Sequence, residues 1–163
     1  MTISQAGINL IKSFESCKLL AYPDPAWGWK VPTIGWGHTG TLDCEMGVAP
    51  GQGHPIKLGD IITQPQADAL LYQDLQHFSE LVSSVLNCAV PPFSQNRFDA
   101  LVSFAFNCIG WQGSTLFALV KQGSFTLASQ EFPKWCHSGR PPVVIPGLVR
   151  RRAAEQKLFM GGA

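Results

Sequence analysis

The stretch FESCKLLAYPDPAWGWKVPTIGWGH, residues 14–38, separates a helical pattern from a segment rich in glycine, proline and tryptophan. Before it, residues 4–15 repeat apolar side chains near the helical period, and Ser4 is a candidate N-cap. Glu15 ends that pattern, so we predict a carboxyl group at the C-terminus of the first helix. Asp24 lies in a Tyr-Pro-Asp-Pro sequence, which is typical of a turn.

Residues 21–59 predict short strands joined by turns, whereas the pattern from residue 60 onward is helical. Thr63 and Gln66 have the spacing of a capping box at the start of the next helix. Further helices are predicted over 95–107 after Ser94, 114–123 ending at Gly123, 126–135 with Pro133 as a stop or kink, and 147–159 after Pro146.

This order predicts an α+β fold in one domain, residues 1–163. A small β-containing lobe is expected at about residues 15–60. A larger helical lobe is expected at about 61–163, with the first helix packed on it. A cleft between two such lobes is a natural place for a ligand.

The composition limits the possible partners. Only 14% of the 163 residues are charged and the net charge is +1, so no strong field would attract nucleic acid. The one basic cluster, Arg150 to Arg152, is a small footprint for phosphate contacts, and on a helix it is most often a solvated face. No apolar run is long enough to span a membrane, and the N-terminus does not resemble a secretory signal. We therefore expect synthesis in the cytoplasm and no stable membrane insertion.

The cysteines predict neither a disulfide framework nor a metal site. Their number is odd, no pair has Cys-x-x-Cys spacing, and a cytoplasm keeps thiols reduced. We expect all of them to be thiols, buried as small apolar side chains. They are Cys17, Cys44, Cys88, Cys108 and Cys136. No metal or other cofactor is expected.

Two acids of different surroundings suit glycoside hydrolysis, which needs one carboxyl group that donates a proton and another that acts on water or on the sugar. An apolar helix end disfavours a charged Glu15, whereas a solvated turn keeps Asp24 ionised. The alternative is structural, because an acid at a helix end is usually a surface residue and aspartate often forms turns.

The segment LIKSFESCKLLAYPDP with TIGWGHT resembles the N-terminal signature of phage-type lysozymes, the endolysin muramidases of glycoside hydrolase family 24. Later segments also resemble this family: ITQPQADALLYQDL its interdomain helix, FDALVSFAFNCIG its central helix, and STLFALVKQG and GLVRRRAAEQKLF its later helices. The resemblance covers nearly the whole chain. It implies inverting cleavage of the β-1,4 bond between N-acetylmuramic acid and N-acetylglucosamine in bacterial peptidoglycan.

Carried over by position, Glu15 matches the family's general acid and Asp24 the acid that activates water. Thr33 matches the hydroxyl that helps to hold this water. His38 matches a motif histidine. We interpret it as structural, and it is also a candidate for substrate binding. Asn107 matches an asparagine that faces the cleft.

The resemblance also places Arg151 or Arg152 near the general acid without fixing which one, and both arginines are among the expected substrate-binding residues. Trp36 is a candidate for substrate binding together with Trp27 and Trp29, because an aromatic face packs on the apolar face of a pyranose. Filling the core is the alternative for these tryptophans. Two segments are longer than the family usually has: residues 25–32, which precede Thr33, and residues 40–59, which we expect to extend the β lobe over the cleft.

Two rival functions would use some of the same residues. A lytic transglycosylase would need one acid and no partner that activates water, and a non-catalytic glycan-binding module could dispense with Glu15. For a lysozyme we expect a monomer that is held in the host cytoplasm and reaches the wall through a membrane hole made by a separate holin protein.

Overall fold

The computed structural model describes residues 1–25, 27–42, 53–86 and 93–161. In chain order the elements are α1 (Gln5–Lys12), β1 (Lys18–Asp24), β2 (Gly28–Gly35), β3 (His38–Thr39), β4 (Thr41–Leu42), β5 (His54–Pro55), α2 (Gln64–Leu86), α3 (Gln95–Asn107), α4 (Thr115–Lys121), α5 (Phe125–Ser129), β6 (His137–Ser138), β7 (Val143–Val144) and α6 (Pro146–Phe159). Short 3₁₀ turns cover Trp111–Gly113 and Phe132–Trp135. The mixture of small strands and larger helices confirms the predicted α+β class.

The chain divides into two compact units. The strand unit is Glu15–Asp74, and the helical unit combines Met1–Phe14 with Leu75–Ala163. The division falls inside α2, so this helix contributes its first half to the strand unit and its second half to the helical unit.

The strand unit is built on the antiparallel sheet β1-β2-β3. Strands β1 and β2 form a hairpin in which Tyr22 pairs with Thr33 and Asp24 pairs with Gly28, with register shifts on both sides of the Tyr22–Pro23 pairs. The pairs β4-β5 and Leu20–Ile61 extend the strand pairing. The unit's core consists of Ala21, Ile34, Leu42, Ile56, Ile62, Ala67 and Leu70.

Two local features fix the start of α2 against the sheet. Gln66 accepts the Thr63 N–H at 2.8 Å and the Gln66 N–H reaches the Thr63 hydroxyl at 3.4 Å, so the predicted capping box is confirmed. Gly35 has a φ of +63°, and a Cβ there would lie 3.4 Å from the Cβ of Ala67. Glycine therefore allows the end of β2 to turn in a left-handed conformation close to the helix.

Helix α3 is the centre of the helical unit. All its residues from 98 to 105 are buried, and Ser94 caps it by accepting the Arg97 N–H at 3.4 Å, as predicted. Phe104 meets the ring of Phe132 at 5.5 Å between centroids, and Phe132 meets Phe159 of α6 at 5.5 Å. Burying each such side chain contributes up to about 3 kcal/mol, so this aromatic row holds α6 on α3.

The first helix differs from its prediction in length and in its cap. It ends at Lys12, because the Ser13 hydroxyl donates to the Leu10 carbonyl at 2.6 Å and closes the last turn. Glu15 therefore lies beyond the helix, and the prediction of its carboxyl group at the C-terminus of α1 is wrong. Ser4 is at the N-cap position, but its side chain does not cap α1.

The side chain of Ser4 instead donates to the buried Asp99 carboxylate of α3, which also accepts the Ser4 N–H at 2.9 Å. A Cβ on Gly7 would come within 2.6 Å of Ile3 and 2.9 Å of Asp99. These contacts pack α1 closely on α3, and any larger residue than glycine at position 7 would force the two helices apart.

The segment 126–135 is not one helix, contrary to the prediction. Helix α5 ends at Ser129, where the Gln130 and Glu131 N–H groups bond three residues back. The 3₁₀ turn Phe132–Trp135 follows with Pro133 in its first positions, where no N–H is needed. The neighbouring helices are present close to their predicted bounds. Helix α4 is capped by Ser114 and ends at Lys121, two residues before Gly123, which has a φ of +73°, and α6 begins one residue earlier than predicted, at Pro146.

Candidate active site

Glu15 is the first residue of the strand unit and is half-buried. It lies in the bend between α1 and β1, three residues after the helix ends. The position differs from the predicted helix terminus, but it still places a carboxyl group next to the hairpin that carries the other acid.

Asp24 is the last residue of β1, directly before the hairpin turn. It is half-buried, and its Oδ1 accepts the Trp27 N–H at 2.8 Å. This contact is an Asx-type turn, in which a short acidic side chain bonds the backbone ahead of it. The turn fixes the orientation of the carboxylate at the strand end.

Tyr22 lies within electrostatic range of both acids, and the sequence analysis missed it. The pKa of its phenol is raised from its ordinary value, first by burial and then by Glu15, Asp24 and Cys17. Both carboxyl groups thus lie close enough to act on one ring, and Lys18 Nζ lies 4.6 Å from the ring centroid on β1. The signal in the sequence was its position two residues before Asp24, since alternate strand residues share a face.

Thr33 lies opposite Tyr22 on β2 and is only 5% exposed. Cross-strand partners point to the same face of the sheet, so Thr33 lies beside the ring that both acids influence. Its hydroxyl donates to the Val31 carbonyl at 3.2 Å. The hairpin therefore carries two of the residues that the sequence singled out, Asp24 and Thr33, together with Tyr22. The catalytic roles of Asp24 and Thr33 remain predictions.

His38 and Trp36 are held by carboxylates of α2. His38 Nδ1 lies 3.0 Å from both oxygens of Asp74, and the Trp36 indole N–H donates to Asp68 at 2.7 Å. Trp36 also packs against the core of the strand unit. These contacts tie the end of β2 and the start of β3 to the helix.

Asn107 is the last residue of α3 and is exposed. It lines a cavity of about 460 Å³ in the helical unit, together with Cys108, Trp135 and His137. The expected substrate-binding role of Asn107 remains a prediction, and its exposure is compatible with it.

Arg151 and Arg152 do not form a solvated basic face, which corrects one of the alternatives. Their exposed fractions are 3% and 1%, and Glu155 between them is fully buried. Arg151 Nε lies 3.2 Å from Glu155 Oε1, and Arg152 Nε lies 2.8 Å from Oε2. Burial raises the pKa of the Glu155 carboxyl, and the two guanidinium groups oppose that rise.

The burial of these arginines argues against direct contact with a substrate, because little of either side chain reaches solvent. It also leaves Arg150 as the exposed member of the cluster, which further weakens a nucleic-acid interpretation. The prediction that one arginine lies near Glu15 remains a prediction.

Cys108 extends this network. Its sulfur accepts a hydrogen bond from Arg152, and burial raises the pKa of its thiol to about 11 against the opposing charge of that arginine. Cys17 and Cys136 are also free thiols, whereas Cys44 and Cys88 lie outside the described residues. Within the described ranges no group of histidine, cysteine and acidic side chains could hold a metal ion.

The chain matches known proteins over nearly its whole length. The family model for phage lysozyme matches residues 12–155. The chain belongs to the phage lysozyme family. This confirms the resemblance seen in the sequence, and the match includes Glu15, Asp24 and Thr33.

Two curated relatives differ in how much of them the chain covers. The endolysin of Bacillus phage PZA is 44% identical over 164 residues, which are 99% of this chain but 56% of that relative. The endolysin of Acyrthosiphon pisum secondary endosymbiont phage 1 is 37% identical, with 98% of both chains covered. This chain thus spans little more than half of the first relative and nearly all of the second.

A solved structure supports the lysozyme-type fold. The muramidase domain of SpmX from Asticcacaulis excentricus is similar at a TM-score of 0.78 and 35% identity, over 98% of this chain and 97% of that one. A mutant P22 lysozyme is similar at a TM-score of 0.74 and 33% identity, over 98% and 99%. In the part of the chain that the structure describes, no helix is long and apolar enough to cross a membrane.

Proposed function

We propose that this chain is a lysozyme that hydrolyses β-1,4 bonds between N-acetylmuramic acid and N-acetylglucosamine in bacterial peptidoglycan. Family membership supports cleavage of peptidoglycan. The observation that carries the assignment of the site is that two half-buried carboxyl groups flank β1: Glu15 lies just before the strand, and Asp24 ends it with its carboxylate oriented by the Trp27 N–H. The raised pKa of Tyr22, to which both acids contribute, agrees with this placement. A pair of acids at one place is what glycoside hydrolysis requires.

In this proposal Glu15 donates its proton to the glycosidic oxygen as the bond to the anomeric carbon breaks. Asp24 accepts a proton from a water molecule that attacks the anomeric carbon from the opposite face, and Thr33 helps to hold that water. The product is a new reducing end with inverted configuration. The Trp27 N–H supports this role by orienting the Asp24 carboxylate.

The finer expectations about the setting belong to the same proposal. The relatives named above are endolysins of phages. For this chain we propose a monomer, held in the cytoplasm of a host bacterium and released to the wall by a holin. Its partner is then peptidoglycan, with no stable membrane insertion and no nucleic acid.

Product analysis tests the reaction and separates it from both rivals. We expect purified sacculi to release muropeptides with ordinary reducing muramic ends, seen by mass spectrometry. NMR of fresh product should show the α anomer, because inversion converts the β linkage. A 1,6-anhydro end would identify a transglycosylase, the β anomer a retaining mechanism, and binding without products a glycan-binding module.

A further inference from the structure

Two tryptophans at the tip of the β1–β2 hairpin are unusually exposed. Trp27 is 66% exposed in the turn, and Trp29 is 44% exposed near the start of β2. Other tryptophans behave differently: Trp111 is 3% exposed and packs on Phe117, and the N–H of Trp36 is bonded to Asp68. Large apolar side chains grouped on a surface usually mark a place where a partner binds.

The backbone of this tip is attached to the candidate active site. The Trp27 N–H donates to Asp24 Oδ1 at 2.8 Å, and the Trp27 carbonyl accepts the Lys30 N–H at 3.3 Å. The backbone of Trp27 is therefore hydrogen-bonded to the carboxylate that is proposed to activate water. The two exposed indoles therefore belong to the same hairpin tip as this carboxylate, three and five residues after Asp24.

We propose that Trp27 and Trp29 form an aromatic platform that stacks on pyranose rings of a β-1,4-linked N-acetylhexosamine chain, beside the bond being cleaved. This rests on the proposed function, since the glycan is the substrate of the same site. Indole faces pack on the apolar C–H face of a sugar ring. Stacking also suits a chain whose net charge of +1 provides little electrostatic attraction.

Substitution separates the platform from the chemistry. Asp24 is bonded to the Trp27 backbone and not to its ring, so Trp27→Ala keeps that hydrogen bond. The platform should therefore affect KM more than kcat. We expect Trp27→Ala and Trp29→Ala each to raise KM on sacculi about three- to tenfold with kcat changed less than twofold, and Trp27→Tyr to restore most of the binding.

Binding is measured without cleavage in a Glu15→Gln background, by cosedimentation with sacculi and by titration with the hexamer of N-acetylglucosamine. The same two alanine substitutions should weaken both interactions about three- to tenfold. Tyr72→Ala is the matched control, because Tyr72 is an aromatic residue of the strand unit that is 52% exposed and belongs to α2 instead of the hairpin. It should change neither interaction.

The outcomes distinguish the two proposals. If the wild type cleaves sacculi but the Trp27 and Trp29 variants bind and cleave like it, the platform is wrong and the proposed function stands. If the wild type does not cleave but binding depends on both tryptophans, the platform stands and the proposed function is wrong. The two alanine variants could instead keep glycan binding and lose self-association or binding to lipid vesicles. That result would assign the surface to another partner and contradict the proposed glycan platform.

Discussion

Two carboxyl groups of the strand unit and one of the helical unit occupy opposite environments. In the strand unit, Glu15 and Asp24 are half-buried and lie near an aromatic ring and a turn N–H. In the helical unit, Glu155 is fully buried between Arg151 and Arg152. The first two retain access to solvent, which a reacting group needs, whereas the third is enclosed by its own partners.

This difference shows that charge in a sparsely charged chain serves two purposes. An enclosed acid that is matched by cations fixes the packing of α6 on α3, and its removal leaves charges buried without a partner. A half-buried acid beside a hairpin does little for packing and remains available for proton transfer. The comparison predicts that substituting the enclosed acid lowers stability, whereas substituting a half-buried acid lowers activity.

The largest effect on stability is expected from Glu155→Ala. Removing this side chain leaves two buried guanidinium groups without their carboxylate, which costs about 3–5 kcal/mol. Urea unfolding followed by circular dichroism measures the loss. The control is Glu131→Ala, which removes an ion pair with Lys134 Nζ at 2.7 Å. The Glu131 side chain is 12% exposed but the Lys134 side chain is 66% exposed, so the substitution leaves no buried cation, and we expect a loss of less than about 1 kcal/mol. Equal losses in the two variants would contradict the comparison.

A smaller effect is expected from Ser103→Ala. The Ser103 hydroxyl donates to Glu155 Oε1 at 2.7 Å, and both groups are fully buried. Losing a hydrogen bond to a charged group costs about 1.5–3 kcal/mol. The loss should shrink in a Glu155→Ala background, because the acceptor is absent there. Full additivity in this double-mutant cycle would show that the hydroxyl does not stabilise the carboxylate.

The smallest effect is a dependence of stability on alkaline pH. The pKa of Cys108 is raised from 9.0 to about 11, so the folded state retains this proton longer than the unfolded state. Its stabilising contribution is complete below about pH 9 and is lost as the pH rises toward 11, by roughly 1 kcal/mol at about pH 10. Unfolding curves of the wild type should therefore weaken with pH more steeply than those of Cys108→Ala. Parallel curves would disprove the linkage, and Cys136→Ala serves as the control for losing a buried thiol.

Much of the fold could be predicted from local patterns. The capping box at Thr63, the cap at Ser94 and the start of α6 at Pro146 each depend on neighbouring residues, and all three were predicted. The failure of Ser4 to cap α1 could not be predicted in this way, because its hydroxyl bonds Asp99, which is 95 positions away. A contact of that separation leaves no periodic trace in the sequence.

The candidate site could be predicted only in part, because some of its contacts depend on how separate segments pair. The resemblance singled out Glu15, Asp24 and Thr33, but not the position of Tyr22 between the acids, which depends on the register of the hairpin. The arginine run looked like a solvated surface because its neutralising acid, Glu155, is recognised only when the burial of the helix is known.

The central claim is that Glu15 acts in chemistry whereas Glu155 acts in folding. Comparing Glu15→Gln with Glu155→Gln, for lysis of sacculi per folded molecule and for melting temperature, tests it most directly. We predict that Glu15→Gln loses at least about 100-fold in activity and keeps the wild-type melting temperature, because an amide cannot donate the proton. Glu155→Gln should lower the melting temperature but leave the activity of the folded fraction largely intact. Near-wild-type lysis by Glu15→Gln, or a melting loss equal to that of Glu155→Gln, would contradict the claim.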